Sequence, residues 1–119
     1  MRVQRGDVVL LPIVFTSGVG MKMRPAVVVQ SNHNNVRLND TIVAIVTKTT
    51  HRATRESTQL LIDINSPEGQ RSGLLHTSAV KCEHLVTVCI ADISRVIGSL
   101  TPAAMAQIEG CLKAALAIS

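Results

Sequence analysis

The amino-acid sequence predicts a mainly β fold with one helix: a small barrel of six short strands closed by a C-terminal α-helix. Three observations predict it. Runs rich in Val, Ile and Thr recur between clusters of Gly, Pro, Asn and Ser, at a spacing that suits a small barrel. Near the C-terminus, Thr101 and Pro102 supply a helix start, and Met105, Ile108, Leu112 and Leu116 follow on one face. The 119 residues, 46% apolar and 17% charged, make one domain, 1–119, with enough chain to bury a core without staples.

The first strand is expected over Val8-Val9-Leu10-Leu11 with Ile13-Val14, almost continuously apolar and therefore buried on both sides. Pro12 limits its pairing and marks an edge or a bulge. A loop over residues 16–23 carries two glycines and is expected to be flexible. A second strand covers 26–30, and the polar cluster Ser31-Asn32-His33-Asn34-Asn35 closes it as a turn or a short helix start. Thr41-Ile42-Val43-Ala44-Ile45-Val46-Thr47 is the third strand. Residues 48–57 then form a polar, basic loop without helical period.

A fourth strand runs over 58–62, and Asn65-Ser66-Pro67-Glu68-Gly69 reads as a turn. The segment around Gly73-Leu74-Leu75 leads into Ser78-Ala79-Val80-Lys81-Cys82, followed by strands over 85–88 and 95–98. In the closing helix, Glu109 and Lys113 are spaced to pair at i, i+4.

Composition excludes several functions. One Phe with neither Trp nor Tyr argues against gripping RNA by stacking bases on aromatic platforms as single-strand binders do. A net charge of +4 permits a polyanionic partner, to be held through charge and polar groups. Cys82, Cys89 and Cys111 lack metal spacing and an even count, and read as reduced core thiols of a cytoplasmic protein. His33, His51, His76 and His84 have no spacing for a metal cage and read as solvated surface. Asp7 and Glu83, the candidate carboxylate pair, lie far apart in sequence. Arg5-Gly6-Asp7 matches an adhesion tripeptide by chance. No nucleophile elbow or phosphate-cradling glycine loop appears, and the run from Val8, interrupted by Pro12, is a strand rather than a signal peptide.

The stretch Lys22-Met23-Arg24-Pro25-Ala26-Val27-Val28-Val29 sets a cationic tip on a β-branched run. Pro25 fixes its own φ and biases Arg24 to extended backbone, so the guanidinium is held at the mouth of a strand. Thr47 leaves the third strand, and antiparallel neighbours would bring it beside Arg24, sharing a rim with the loop from Lys48. A fixed guanidinium beside a hydroxyl suits phosphate.

Arg5-Gly6-Asp7-Val8, then Arg24-Pro25-Ala26-Val27-Val28, then Val43-Ala44-Ile45-Val46-Thr47, then residues 78–87 and a helix opening Leu100-Thr101-Pro102 together resemble the MazF/PemK toxin family over nearly the whole chain. The resemblance implies an SH3-like β-barrel, a homodimer, a cognate antitoxin of a type II toxin-antitoxin pair, and metal-independent, sequence-selective cleavage of single-stranded RNA. It implies Arg24 and Thr47 as catalytic residues and Glu83 and His84 as RNA contacts, joined on the rim by Lys22, Lys48 and Thr49. The substrate's 2′-hydroxyl would attack the adjacent phosphorus, leaving a 2′,3′-cyclic phosphate and a 5′-hydroxyl, with no cofactor. Arg24 would stabilise charge on the phosphoryl oxygens, and Thr47 would orient one of them. The first loop lacks the polar residues many relatives carry there, His84 stands where Gln is frequent, and Val86 where Arg is. Two other readings fit the same barrel: a non-catalytic, CcdB-like toxin that poisons DNA gyrase by protein contact, and a degenerate homologue that only binds antitoxin.

Overall fold

The computed structural model describes residues 1–14 and 20–119. Its element order is β1 (Asp7–Val14), β2 (Met21–Val28), α1 (Asn32–Arg37), β3 (Asp40–Thr47), β4 (Gln59–Ile62), α2 (Pro67–Ser72), β5 (Ser78–Cys89), a 3₁₀ turn (Ile90–Asp92), β6 (Arg95–Ser99) and α3 (Pro102–Leu116). The six strands form one curled antiparallel half-barrel in the order β4-β5-β3-β2-β1-β6, as the strand count led one to expect.

Alternation along the strands explains why their sequences read as continuous apolar runs. Successive side chains point to opposite faces, and here both faces are covered. Val8, Val27, Ala44, Val46 and Val80 pack with Ala104, Met105, Ile108 and Cys111 of α3. Val9, Leu11, Ala26, Val28, Val43 and Ile45 form a second cluster with Val3 and Ile93.

Several expectations are corrected. β2 begins at Met21, so Arg24 sits inside a strand rather than at its mouth. The unbranched Met and Lys residues there have little intrinsic strand preference, but Val14 to Leu11 of β1 pair with Met21 to Arg24 and impose it. The expected loop thereby shrinks, and residues 15–19, which include Gly18, lie outside the described residues. Pro12 falls beyond the last β1–β6 pair, Leu10 with Arg95, which leaves that side of it an edge; the bulge in this ladder lies between Val8 and Val9.

The supposed turn at 65–69 is the start of helix α2, with Ser66 accepting from Gly69 N–H at 3.0 Å and Pro67 in the first turn. The strand expected at 85–88 is continuous with 78–82: β5 runs unbroken through Cys89. Its pairing with β3 jumps from Lys81 opposite Ile45 to Leu85 opposite Ala44, so Cys82, Glu83 and His84 are extra residues in a bulge.

Thr101 caps α3 through Ala104 N–H, and Met105 and Ile108 are buried as expected. Leu116 is instead 53% exposed at the helix end, and Ala104 and Cys111 complete the stripe. Glu109 meets Arg5 Nη1 at 3.1 Å rather than Lys113. Arg5-Gly6-Asp7 is a structural corner: Gly6 N–H donates to Val28 O and Gly6 O accepts from Leu100 N–H. Of the cysteines, Cys82 and Cys111 are buried, whereas Cys89 is exposed at the end of β5.

The half-barrel leaves β4 and β6 as edges, and α2 closes the space at β6. Backbone meets backbone there, because Gly73 and Gly98 carry no side chain. A Cβ at Gly73 would lie 2.1 Å from Ile97 O, and one at Gly98 would lie 2.4 Å from Arg71 O. Gly73 also takes φ of 75° as the left-handed cap of α2. From α2, Glu68 accepts hydrogen bonds from Thr101 N–H, at 2.8 Å, and Thr101 Oγ1, which ties the helix to the start of α3.

Candidate active site

The β2–β3 ladder stops at Ala26 opposite Ile45, and Pro25, next in line, has no N–H to extend it. A cleft of about 350 Å³ lies beside this end. Lys22, Arg24 and Pro25 line it from β2, Lys48 from the residue after β3, Leu10 from β1, Arg95 and Ile97 from β6, and His76 and Ser78 from the approach to β5. Among the described residues its ionisable side chains are four cations and one imidazole, with no carboxylate among them. Such a lining concentrates positive potential over an apolar floor and favours anions.

Arg24 is half-buried and faces Leu11 across β1–β2. The last β2–β3 pair, Ala26 with Ile45, lies two residues short of both Arg24 and Thr47. Thr47 itself lies one residue outside the lining, paired with Ala79, and its Oγ1 accepts from Thr49 N–H at 3.1 Å. That contact occupies one lone pair and leaves the hydroxyl proton to be donated. Lys22 and Lys48 stand in the lining, while Thr49 is exposed beside it.

Glu83 and His84 are placed differently, in the β5 bulge and outside the lining. Glu83 accepts from Gln59 Nε2 at 2.8 Å and from Thr58 Oγ1 at 3.1 Å. Burial raises its carboxyl, but its own backbone N–H, these two donors and Lys81 outweigh that and hold it below the usual carboxylate range. Asp7, the other carboxylate of the expected pair, instead accepts from Gln4 N–H at 2.8 Å, on a strand separated from β5 by β2 and β3. All four histidines are exposed. Among the described residues no group of three or more His, Cys, Asp or Glu side chains converges to hold a metal ion.

Sequence reasoning missed Arg95, His76 and Ser78. Arg95 opens β6 opposite Leu10, and this pairing brings it to the cleft from a distant part of the chain. His76 arrives through the α2 cap on β6. Neither placement carries a local signal beyond the residue type.

Fold and cleft together define a class: small curled-sheet proteins with a helical cover that present a carboxylate-free, cationic cleft. The sequence profile of the PemK-like, MazF-like toxins of type II toxin-antitoxin systems matches residues 4–116, and the chain belongs to that family. No curated protein sequence matches the chain. Among solved structures, an endoribonuclease from a Mycobacterial species, in complex with its cognate antitoxin, superposes with a TM-score of 0.78 at 22% identity, covering 98% of this chain and 97% of that one. The Mycobacterium tuberculosis toxin MazF-mt6 gives 0.76 at 19% identity, covering 95% and 98%. The MazE-MazF complex of Deinococcus radiodurans gives 0.71 at 19% identity, covering 100% and 99%. At these identities the likeness is one of fold.

Proposed function

We propose that the chain is a sequence-selective endoribonuclease that cleaves single-stranded RNA by attack of the 2′-hydroxyl on the adjacent phosphorus, leaving 2′,3′-cyclic phosphate and 5′-hydroxyl ends. The observation that carries this reading is the cleft itself, lined by Lys22, Arg24, Lys48 and Arg95 without a carboxylate, with Thr47 next to Lys48 in the chain. An apolar floor and a volume near the lower end of ligand pockets, about 300 to 1,000 Å³, suit a nucleotide-sized group. Family membership supports RNA as the phosphodiester.

Arg24 makes paired, charged hydrogen bonds to the non-bridging oxygens, which gain charge as the pentacovalent transition state forms. Arg24 is fixed for this by β-pairing to β1 and by Pro25. Thr47, its hydroxyl oriented by Thr49 N–H, donates to one of those oxygens. Lys22, Lys48 and Thr49 hold flanking phosphates. Glu83 and His84, on the bulge, contact a base beyond the cleft. The nucleophile belongs to the substrate and the neutralising charges to the protein, so the step needs no metal or other cofactor. The toxin acts in the cytoplasm as a homodimer, and its cognate antitoxin neutralises it, in keeping with the antitoxin complexes of its structural neighbours.

Purified protein is expected to cut single-stranded RNA in chelator and to yield cyclic-phosphate ends. Arg24→Ala should lower kcat by about 10² to 10³, the scale for one lost oxyanion donor, with an unchanged circular dichroism spectrum. Cutting that chelator abolishes, or an Arg24→Ala protein as active as the parent, would refute the mechanism.

A further inference from the structure

Resting on the endoribonuclease reading, we propose that His76 is the general base of the cleavage step, the group that receives the proton of the attacking 2′-hydroxyl. The other ionisable side chains lining the cleft are Lys22, Arg24, Lys48 and Arg95. Guanidinium and ammonium side chains carry donors and no acceptor, so none of the four is equipped to take a proton. Imidazole is the side chain that ordinarily exchanges protons between pH 5 and 8. The nearest hydroxyl in the lining, Ser78 Oγ, is buried and donates to His76 O at 2.7 Å. Glu83, the carboxylate of the expected site, is engaged by Thr58 and Gln59 on the bulge.

The backbone around His76 is pinned from three sides. Gly73 presses on Ile97 O, Thr77 Oγ1 accepts from Ile64 N–H at 3.0 Å, and the Ser78 hydroxyl holds the His76 carbonyl. His76 is exposed and lines the same cleft as Arg24 while its main chain is fixed, a position for meeting a ribose whose phosphate lies on Arg24.

In the step, an imidazole nitrogen takes the 2′-hydroxyl proton as the 2′-oxygen bonds to phosphorus and the bond from phosphorus to the 5′-oxygen breaks. The departing 5′-oxygen takes a proton from solvent, and His76 returns its own to solvent. No water is consumed.

The test compares His76→Ala with the parent on a short RNA containing one scissile site. The expected result is a fall in kcat of about 10² to 10⁴, unchanged Kd for the same oligomer with a 2′-deoxyribose at that site, loss of the acid limb of the pH–rate profile, and partial rescue by free imidazole. The charged groups that line the cleft with His76 are Lys22 and Arg24 of β2, Lys48 after β3, and Arg95 of β6. A kcat within about threefold of the parent overturns the assignment. So does a loss of rate that imidazole cannot rescue and that leaves the acid limb in place. If the parent cuts and the variant equals it, only this assignment fails; a parent that leaves RNA whole removes both.

Discussion

Gly98→Ala is a sensitive probe of how the cleft is held. An added Cβ would stand 2.4 Å from both Arg71 O and Ser72 C, and 2.5 Å from Ser72 O, all of them backbone atoms. Ordinary contact begins near 3.4 Å, so the end of α2 must retreat from β6 by about 1 Å. Ser72 is fully buried and Leu74 is 8% exposed, so that retreat opens a packed region. Overpacking costs typically about 1 to 3 kcal/mol, and contact with rigid backbone places this case near the top, about 3 kcal/mol. A domain whose total stability is about 5 to 15 kcal/mol would still fold. The same shift moves the end of α2, which leads into His76, relative to β6, which carries Arg95, and misplacement on that scale can lower a rate about 10²-fold. Urea unfolding gives the first quantity and RNA cleavage well below the unfolding midpoint gives the second. Gly110→Ala is the control: nothing lies within 4 Å of its added Cβ, and in a helix interior it should stabilise by up to about 1 kcal/mol. A Gly98→Ala protein within about 0.5 kcal/mol of the parent would show that the α2–β6 contact yields without cost.

Two further outcomes are expected. Asn35 is buried; its Oδ1 accepts from Thr41 Oγ1 at 2.7 Å and Gln30 Nε2 at 3.0 Å, and its Nδ2 donates to Gln30 O at 3.1 Å. Asn35→Ala strands those groups and should cost about 2 to 3 kcal/mol in urea unfolding, with RNA cleavage retained, because α1 lies away from the cleft. Burial, with Cys111 and Glu83 adding to it, pushes the Cys82 thiol from 9.0 up to about 12. The unfolded chain therefore releases this proton first, and stability falls as pH rises above 9.0, by about 1.4 kcal/mol per unit until about 12. Cys82→Ala should remove that part of the alkaline slope, and an identical slope in both proteins would refute the assignment.

Legibility in the sequence followed physical range. β1, β3 and α3 were readable because β-branched runs and a Thr-Pro cap act locally. The Met21 to Arg24 half of β2 was not, since its strand character is imposed by the partner hairpin strand. Ser66-Pro67-Glu68-Gly69 reads equally as a turn or as the first turn of α2, and the Ser66 cap and the left-handed Gly73 are the local features that distinguish the helix. The β5 bulge split one strand into two on paper, because Glu83 and His84 break the apolar run. In the cleft, Lys22, Arg24 and Lys48 stood close to recognisable strand ends. Arg95 and His76 come to the same place only through the β1–β6 pairing and the α2 cap, contacts that no short-range pattern encodes.

The pairing of β6 with β1 joins Asp7 to Ser99 across most of the chain. Synthesis runs from the N-terminus, so Arg24 and Lys48 leave the ribosome well before Arg95 and Ile97, which line the same cleft from β6. A growing chain thus carries its cationic strand without a cleft to hold a substrate. The site comes into being only when the last strand docks, which makes its assembly a late and long-range event in folding.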